Sequence, residues 1–431
     1  MATERFATRF GSLSRSRSAR GFLLLTEAAR RTPIVALKVM IRRGYAHEDE
    51  GQAGLASLLM RMFLQGTLRR SAQQLQLELA GLGASLESGA SAESSAFELQ
   101  CTREVLPAAL ELLLEVIATP AFLESELKKE REQALQRIRA RRDQYLESAL
   151  DQFAETFYRG HPYHRPGLGY EETVAGLQVE DLRRAYEGWL TPANLVVAAV
   201  GDLEHERLLD RFEAGLPELP PATDGLDPAT LAPPERGSEA AFSHRESAQA
   251  WVVIGFPAAP LGHPDYPPLR LLNTVLGGSM SSRLFIEVRE KRSLAYQVGS
   301  LYQAQKGPSY LAGYLGTTPA QYEQARATVE AELRRLALEP VPEEELEGSR
   351  RYLRGTTLLA QETNRARAAR YASFEALGLG FDYGDRALEA ALASSAEAAK
   401  EAAERHFTRC VSAAVMPTPG AEKHQANPLV P

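Results

Sequence analysis

Cysteine is nearly absent: two residues in 431, Cys101 and Cys410. That excludes a disulfide framework. Both lie in apolar, strand-like runs, where a thiol behaves as a small buried hydrophobe and fits a reducing compartment. Nor is there any stretch near the ~18 apolar residues of a membrane-spanning helix. The Arg- and Ser-rich start, residues 1–20, runs into only a short apolar segment, Gly-Phe-Leu-Leu-Leu at 21–25, too short for a signal peptide. An edge strand and turn are expected there, with no membrane partner and a cytoplasmic location. Positive charge is not in excess, at 49 Lys and Arg against 56 Asp and Glu, a net charge of −7. Binding to nucleic acid normally needs a basic face, so that partner is excluded as well.

What remains is an ordinary globular composition, 44% hydrophobic and 24% charged. A chain of this length exceeds one hydrophobic core, so two or more domains are expected. Apolar runs predict strands over 21–26, 34–41, 84–88, 94–102 and 194–200. Helical spacing predicts helices over 52–65, 71–82, 105–118, a long charged stretch at 123–158, then 179–190 and 205–216. Residues 217–237 are too rich in Pro and Gly for a helix or central strand and read as an extended linker. The expected division is 1–216, a linker at 217–240, and 241–431. The second half repeats the first. The strand at 251–256 answers that at 34–41, an offset of 251 − 34 = 217, and the helix opening at Asp265 answers Asp49, 265 − 49 = 216. A helix opening at 316–318 and ending before Pro340 answers 105–118. The segments 401–407 and 410–416 answer 181–200. An offset shared by several elements is duplication. The fold class is α+β, each half an antiparallel-rich sheet packed with helices.

The helix at 52–65 organises the rest. Leu55, Leu58, Leu59, Met62 and Phe63 give it one broad apolar face, and it contains no His, Cys, Asp or Glu. The polar turn before it, His47 with Glu48, Asp49 and Glu50, leaves Asp49 or Glu50 available for capping. This segment resembles the zinc-binding helix of the insulinase/pitrilysin metallopeptidases, the inverzincins, whose H-x-x-E-H here reads Ser57-Leu58-Leu59-Met60-Arg61. By that resemblance Ser57 and Arg61 stand at the two histidines and Met60 at the general base. The family's third ligand, a glutamate roughly seventy-five residues on, falls at Arg137, with Gln136 as the neighbouring register. Glu130 and Glu132, one to two turns earlier, are expected to project elsewhere. A zinc ligand needs a nitrogen, thiolate or carboxylate lone pair. Two guanidinium groups repel the ion, so no metal is expected in this chain.

The second half carries the family's other signature. Gly277-Gly278 leads through Arg283-Leu284-Phe285 to Arg289, Lys291 and Leu294-Ala295-Tyr296, similar to R-L-F-x-x-x-R-x-K-x-x-L-A-Y. The resemblance implies that Arg289 and Tyr296 donate hydrogen bonds to the substrate carbonyl and to the oxyanion formed on attack, with Gly277 and Gly278 as substrate-binding positions. A guanidinium and a phenol suit that task, since both are donors that can be preorganised toward developing negative charge. On residue type alone, Arg289 would be a solvated helix position, Tyr296 a core residue, and the glycines a helix C-cap. His161 and His164 sit in a Pro-bounded loop similar to the family's H-P-x-x-x-P-x-x-G, where packing is the expected role. The resemblance spans nearly the whole chain. It implies a non-catalytic partner in a two-chain insulinase-type peptidase, similar to the mitochondrial processing peptidase arrangement. In that arrangement the chain forms half of a clamshell and contributes Arg289 and Tyr296 to the site of a zinc-bearing homologue that cleaves a peptide substrate. The alternatives are a structural or assembly subunit, for which Arg289 and Tyr296 have no role, and a metal-independent peptide-binding homodimer.

Overall fold

The computed structural model describes residues 3–216, 227–232, 237–245 and 249–418. Of the expected linker, residues 217–226 and 233–236 lie outside the described residues. The first sheet is built from β1 (Glu4–Thr8), β2 (Gly11–Arg17), β3 (Leu23–Ala28), β4 (Ile34–Ile41), β5 (Ser85–Ala90), β6 (Ser95–Thr102) and β7 (Leu195–Gly201). Its order is β1-β2-β3-β7-β4-β6-β5. The second sheet is built from β8 (Glu239–Arg245), β9 (Ala250–Ala258), β10 (Gln297–Gln303), β11 (Ser309–Thr317) and β12 (Val411–Pro417). Its order is β10-β11-β9-β12-β8. Matching β8 to β3, β9 to β4, β10 to β5, β11 to β6 and β12 to β7 makes the two orders identical, the first sheet adding the β1–β2 hairpin. The one parallel pair of each sheet also corresponds, β3 with β7 and β8 with β12. The α+β duplication read from the offset is thus present strand by strand.

The compact units are not contiguous halves. The first comprises residues 1–138, 165–227 and 358–384, and the second 139–164, 228–357 and 385–431. Each sheet therefore has one face covered by helices of its own half and the other by a helix lent from the opposite half. In the first unit, Leu55–Phe63 and Leu106–Ala118 supply side chains to a core with Val35, Leu37 and Phe97. On the other face, Ala368, Tyr371 and Ala372 of the helix Asn364–Ala376 pack with Leu23, Leu25, Val196 and Val200. In the second unit, Tyr266–Gly277, Tyr322–Leu338 and Ala396–His406 fill the core around Ile254 and Leu311. The opposite face receives Tyr145–Phe157, whose Phe153 lies so close to Gly255 that a Cβ there would meet its ring at 2.9 Å.

Three elements differ from the sequence expectation. The stretch 123–158 is two helices, Glu124–Arg142 and Tyr145–Phe157, broken where Gln144 turns extended. Arg141 grips Asp151 across that break through two hydrogen bonds of 2.7 and 2.9 Å. The helix expected from residue 52 begins at Leu55, because Gly54 sits at φ 100°, a left-handed conformation that suits glycine. Gly316 and Thr317 end β11, and the helix they were expected to open starts at Tyr322.

Candidate functional site: an Arg61–Glu130–Arg137 cluster and an exposed Arg–Tyr pair

The helix Leu55–Phe63 is entered through a buried carboxylate. Glu48 accepts from the Gly54 N–H at 3.0 Å and the Ala56 N–H at 2.6 Å, satisfying donors that the helix start leaves unpaired. Asp49 makes no such cap. The capping expectation for Asp49 or Glu50 is corrected to Glu48, which reaches back because Gly54 bends the chain between them. Burial pushes the Glu48 carboxyl up to about 8, against the downward pull of those two N–H donors and of Arg165. A carboxyl with a higher pKa folded than unfolded holds its proton more tightly in the folded state. Its stabilising contribution is complete below about pH 4.5 and lost as pH rises through about 8. Denaturant melts of Glu48→Gln across that window are expected to show a flatter pH dependence than the wild type. Parallel curves would contradict it.

Met60 faces inward, 0% exposed, among the Phe63 and Phe97 core. Ser57 and Arg61, one turn apart and beside Met60 around the helix, are half-buried. Burial lowers the Arg61 pKa, the nearby Arg137 cation lowers it further, and Glu130 opposes both. Arg137, on the helix Glu124–Arg142, donates to Glu130 Oε2 and to Gln133 Oε1, each at 3.4 Å. Gln65 Nε2 donates to the other Glu130 oxygen at 3.0 Å. Glu130 was expected to project elsewhere, and that expectation is corrected: seven residues are nearly two full helical turns, so Glu130 and Arg137 share a face. Gln136 and Glu132 are exposed. Arg61 and Arg137 therefore stand near one buried carboxylate, Glu130, which pairs with Arg137 and leaves a net positive charge. Ser57, Met60, Arg61 and Arg137 do not fit zinc: none offers a ligand lone pair suited to it, and two carry positive charge.

His161 and His164 are structural. The His161 Nδ1 accepts from the Tyr163 N–H at 3.1 Å, and its Nε2 donates to the Pro228 carbonyl at 2.9 Å. His164 Nδ1 bonds the His161 carbonyl at 2.7 Å.

The second unit presents Arg289 and Tyr296 differently from a core. A π-helical turn, Phe285–Glu290, is closed by Lys291 N–H to the Ile286 carbonyl at 2.9 Å. Such turns are uncommon and recur at functional sites. Ser293 follows at φ 51°, a strained setting for a residue with a Cβ. Leu284, Val288, Leu294 and Ala295 are buried and anchor the segment. Thr317 Oγ1 holds the Leu294 carbonyl at 2.6 Å, and Arg283 grips Glu345 at 2.8 and 2.9 Å. Out of this anchored base Tyr296 projects 83% exposed. The Arg289 guanidinium lies 4.8 Å from the Phe285 ring centre and 5.4 Å from that of Tyr296. Lys291 and Arg292 are both neutralised by Glu287, whereas among the described residues no carboxylate pairs with Arg289. Phe285, the ring beneath the guanidinium, was not singled out in the sequence. Gly277 ends its helix where β10 approaches closely: a Cβ would lie 2.3 Å from the Ser300 nitrogen. Gly278 is the helix C-cap at φ −78°. Both glycines thus have a packing reason of their own.

Among the described residues, no helix is long and apolar enough to cross a membrane. Two family models match the chain: insulinase (peptidase family M16) over residues 23–170, and the peptidase M16 inactive domain over residues 176–353. Uncharacterized zinc protease YmxG of Bacillus subtilis is 30% identical over 344 residues, 80% of this chain and 83% of that protein. An uncharacterized zinc protease of Streptomyces coelicolor is 27% identical over 361 residues, 83% of this chain and 79% of its own length. Among solved structures, a peptidase M16 inactive domain from Pseudomonas fluorescens superposes with a TM-score of 0.86 at 22% identity, covering 97% of this chain and 99% of that one. A protease from Helicobacter pylori gives a TM-score of 0.86 at 19% identity, covering 94% and 99%. Its sheets, its altered zinc helix and these matches agree: the chain belongs to the M16 insulinase family of peptidases.

Proposed function

We propose that this chain is the zinc-less subunit of a two-chain M16 peptidase, holding peptide and donating Arg289 and Tyr296 to a catalytic site whose metal, base and water come from a zinc-bearing homologue. The observation that carries this reading is the contrast within one chain. The zinc helix is filled by Met60 and by the Arg61–Glu130–Arg137 cluster, whereas Arg289 and Tyr296 stand exposed on a strained, anchored turn. A scaffold has no reason to keep a solvent-facing tyrosine beside an unpaired guanidinium. A peptide platform is also present. Among the described residues β5 pairs with β6 alone, so its outer edge is open to strand addition, in which backbone hydrogen bonds give affinity. Ser88 of this strand donates to the Met60 carbonyl at 2.6 Å, fixing the edge against the altered helix. A cavity of about 320 Å³ lined by Lys38, Glu87, Ser88 and Glu98 lies on the same sheet.

Co-expression with a zinc-bearing homologue, followed by a peptidase assay, tests the reading. The pair is expected to cleave peptide in a chelator-sensitive manner and this chain alone to be inert. The chain alone should also stay inert as Ser57→His/Arg61→His, since Arg137 still places a cation at the centre. Position 60 also lacks a base, which contributes on the order of 10²–10⁴ in rate. Chelator-sensitive proteolysis by that double mutant alone would overturn it.

A further inference from the structure

The second unit holds a different cluster of metal-ligating side chains, unrelated to the altered zinc helix. His263, Asp265 and His406 bring one ligand atom each to within 4.8 Å of one another. Asp265 is the buried N-cap of the helix Tyr266–Gly277, and His406 is the last residue of the helix Ala396–His406. His406 Nε2 lies 3.0 Å from Asp265 Oδ2, and His263 Nδ1 lies 3.8 Å from the same oxygen. The two imidazoles meet edge to face with centres 5.2 Å apart. The Asp265 N–H donates to His263 Nδ1 at 3.1 Å, so that nitrogen carries the lone pair and already faces the carboxylate. Arg405 now neutralises Asp265, donating to Oδ2 at 3.0 Å and to Oδ1 at 2.8 Å from an exposed position.

We propose that His263, Asp265 and His406 form a divalent transition-metal site, taking zinc in place of the Arg405 guanidinium and clipping the start of one helix to the end of the other. The donor set decides the class of ion: two imidazoles and one carboxylate suit zinc or cobalt, whereas magnesium and calcium take oxygen ligands. Tetrahedral zinc with bonds of about 2.0–2.1 Å sets donor atoms about 3.3 Å apart. The two Asp265 contacts straddle that spacing. Closing the His263–His406 separation asks for rotation of His263, whose ring is exposed on a turn, and for release of its Nδ1 from the Asp265 N–H. His263 exposure leaves a fourth position open to water. Arg405 grips a buried carboxylate through two hydrogen bonds, so its guanidinium competes with the ion, but its own exposed position lets it swing out into solvent.

The experiment is zinc alone titrated into the metal-free full-length chain, read by calorimetry, by the thermal midpoint, and by the absorption of a cobalt-substituted sample. One zinc per chain is expected, with a raised thermal midpoint because the ion binds only the folded state. His263→Ala and Asp265→Asn are expected to abolish stoichiometric uptake, and His263→Ala, being exposed, leaves the fold intact. Arg405→Gln should tighten binding by about fivefold or more by removing the competing cation. Uptake that survives His263→Ala, or no uptake by wild type and Arg405→Gln alike, would overturn the proposal. Neither result bears on the two-chain reading, which needs no metal in this chain.

Discussion

Arg367→Ala is expected to destabilise the first unit by about 3–5 kcal/mol, the cost of leaving a buried partner charge uncompensated. Glu27 sits near the C-terminal end of β3 with 0% of its side chain exposed. It is matched from the helix Asn364–Ala376, 340 residues away, by Arg367 Nε at 2.9 Å. Tyr371 adds a hydroxyl donor at 2.5 Å, and Thr8 a longer one at 3.4 Å. The remaining Arg367 nitrogens reach the carbonyls of Gln361 and Glu362 and Asn364 Oδ1. Removing the guanidinium strands a carboxylate in the sheet and releases the lent helix from its main polar anchor. Glu27→Gln should cost comparably, because it strands the cation instead. The double substitution Glu27→Leu/Arg367→Met should recover much of the loss, since apolar pairs of similar volume often replace buried ion pairs without penalty. Denaturant melts of the wild type, Glu27→Leu, Arg367→Met and the double mutant Glu27→Leu/Arg367→Met form a double-mutant cycle. Purely additive losses would mean that the two charges stabilise the helix independently.

That ion pair also marks where sequence reading stops. The duplication was legible as a repeat offset because it leaves the same apolar spacing in both halves, and the lack of ligand-type side chains on the helix Leu55–Phe63 was legible from the five residues Ser57 to Arg61. Which helix covers which sheet was not. The helix Tyr145–Phe157 has the periodicity of a core-facing helix, but periodicity carries no address, and Asn364–Ala376, which buries Arg367 and Glu375 with its alanines, shows little apolar periodicity to read. The exchange between sequence halves is fixed by long-range pairs such as Glu27–Arg367, in which neither residue type predicts burial. Glu130 was misplaced for a simpler reason, distance counted in turns rather than in angle. Tyr296 illustrates the opposite limit. After Leu294 and Ala295 an aromatic residue looks like more core, and only the left-handed backbone at Ser293 turns it out to solvent.

The exposed tyrosine leads to the largest functional effect. If Tyr296 donates to an oxyanion in the partner's site, Tyr296→Phe keeps the ring that flanks Arg289 and removes only the donor. Loss of one such donor costs about 2.7–4 kcal/mol of transition-state stabilisation, a 10²–10³-fold drop in turnover of the reconstituted pair. KM should change far less, because the oxyanion exists only after attack. Arg289→Ala should raise KM as well as lower turnover, since an unpaired guanidinium can also hold the ground-state carbonyl. Folding should survive both changes: Tyr296 and Arg289 are solvent-exposed, and the buried Leu284, Val288 and Leu294 keep the turn in place. Gel filtration of each mutant pair separates a loss of assembly from a loss of chemistry. Full activity in both mutants, with assembly intact, would remove the catalytic role and leave this chain as scaffold.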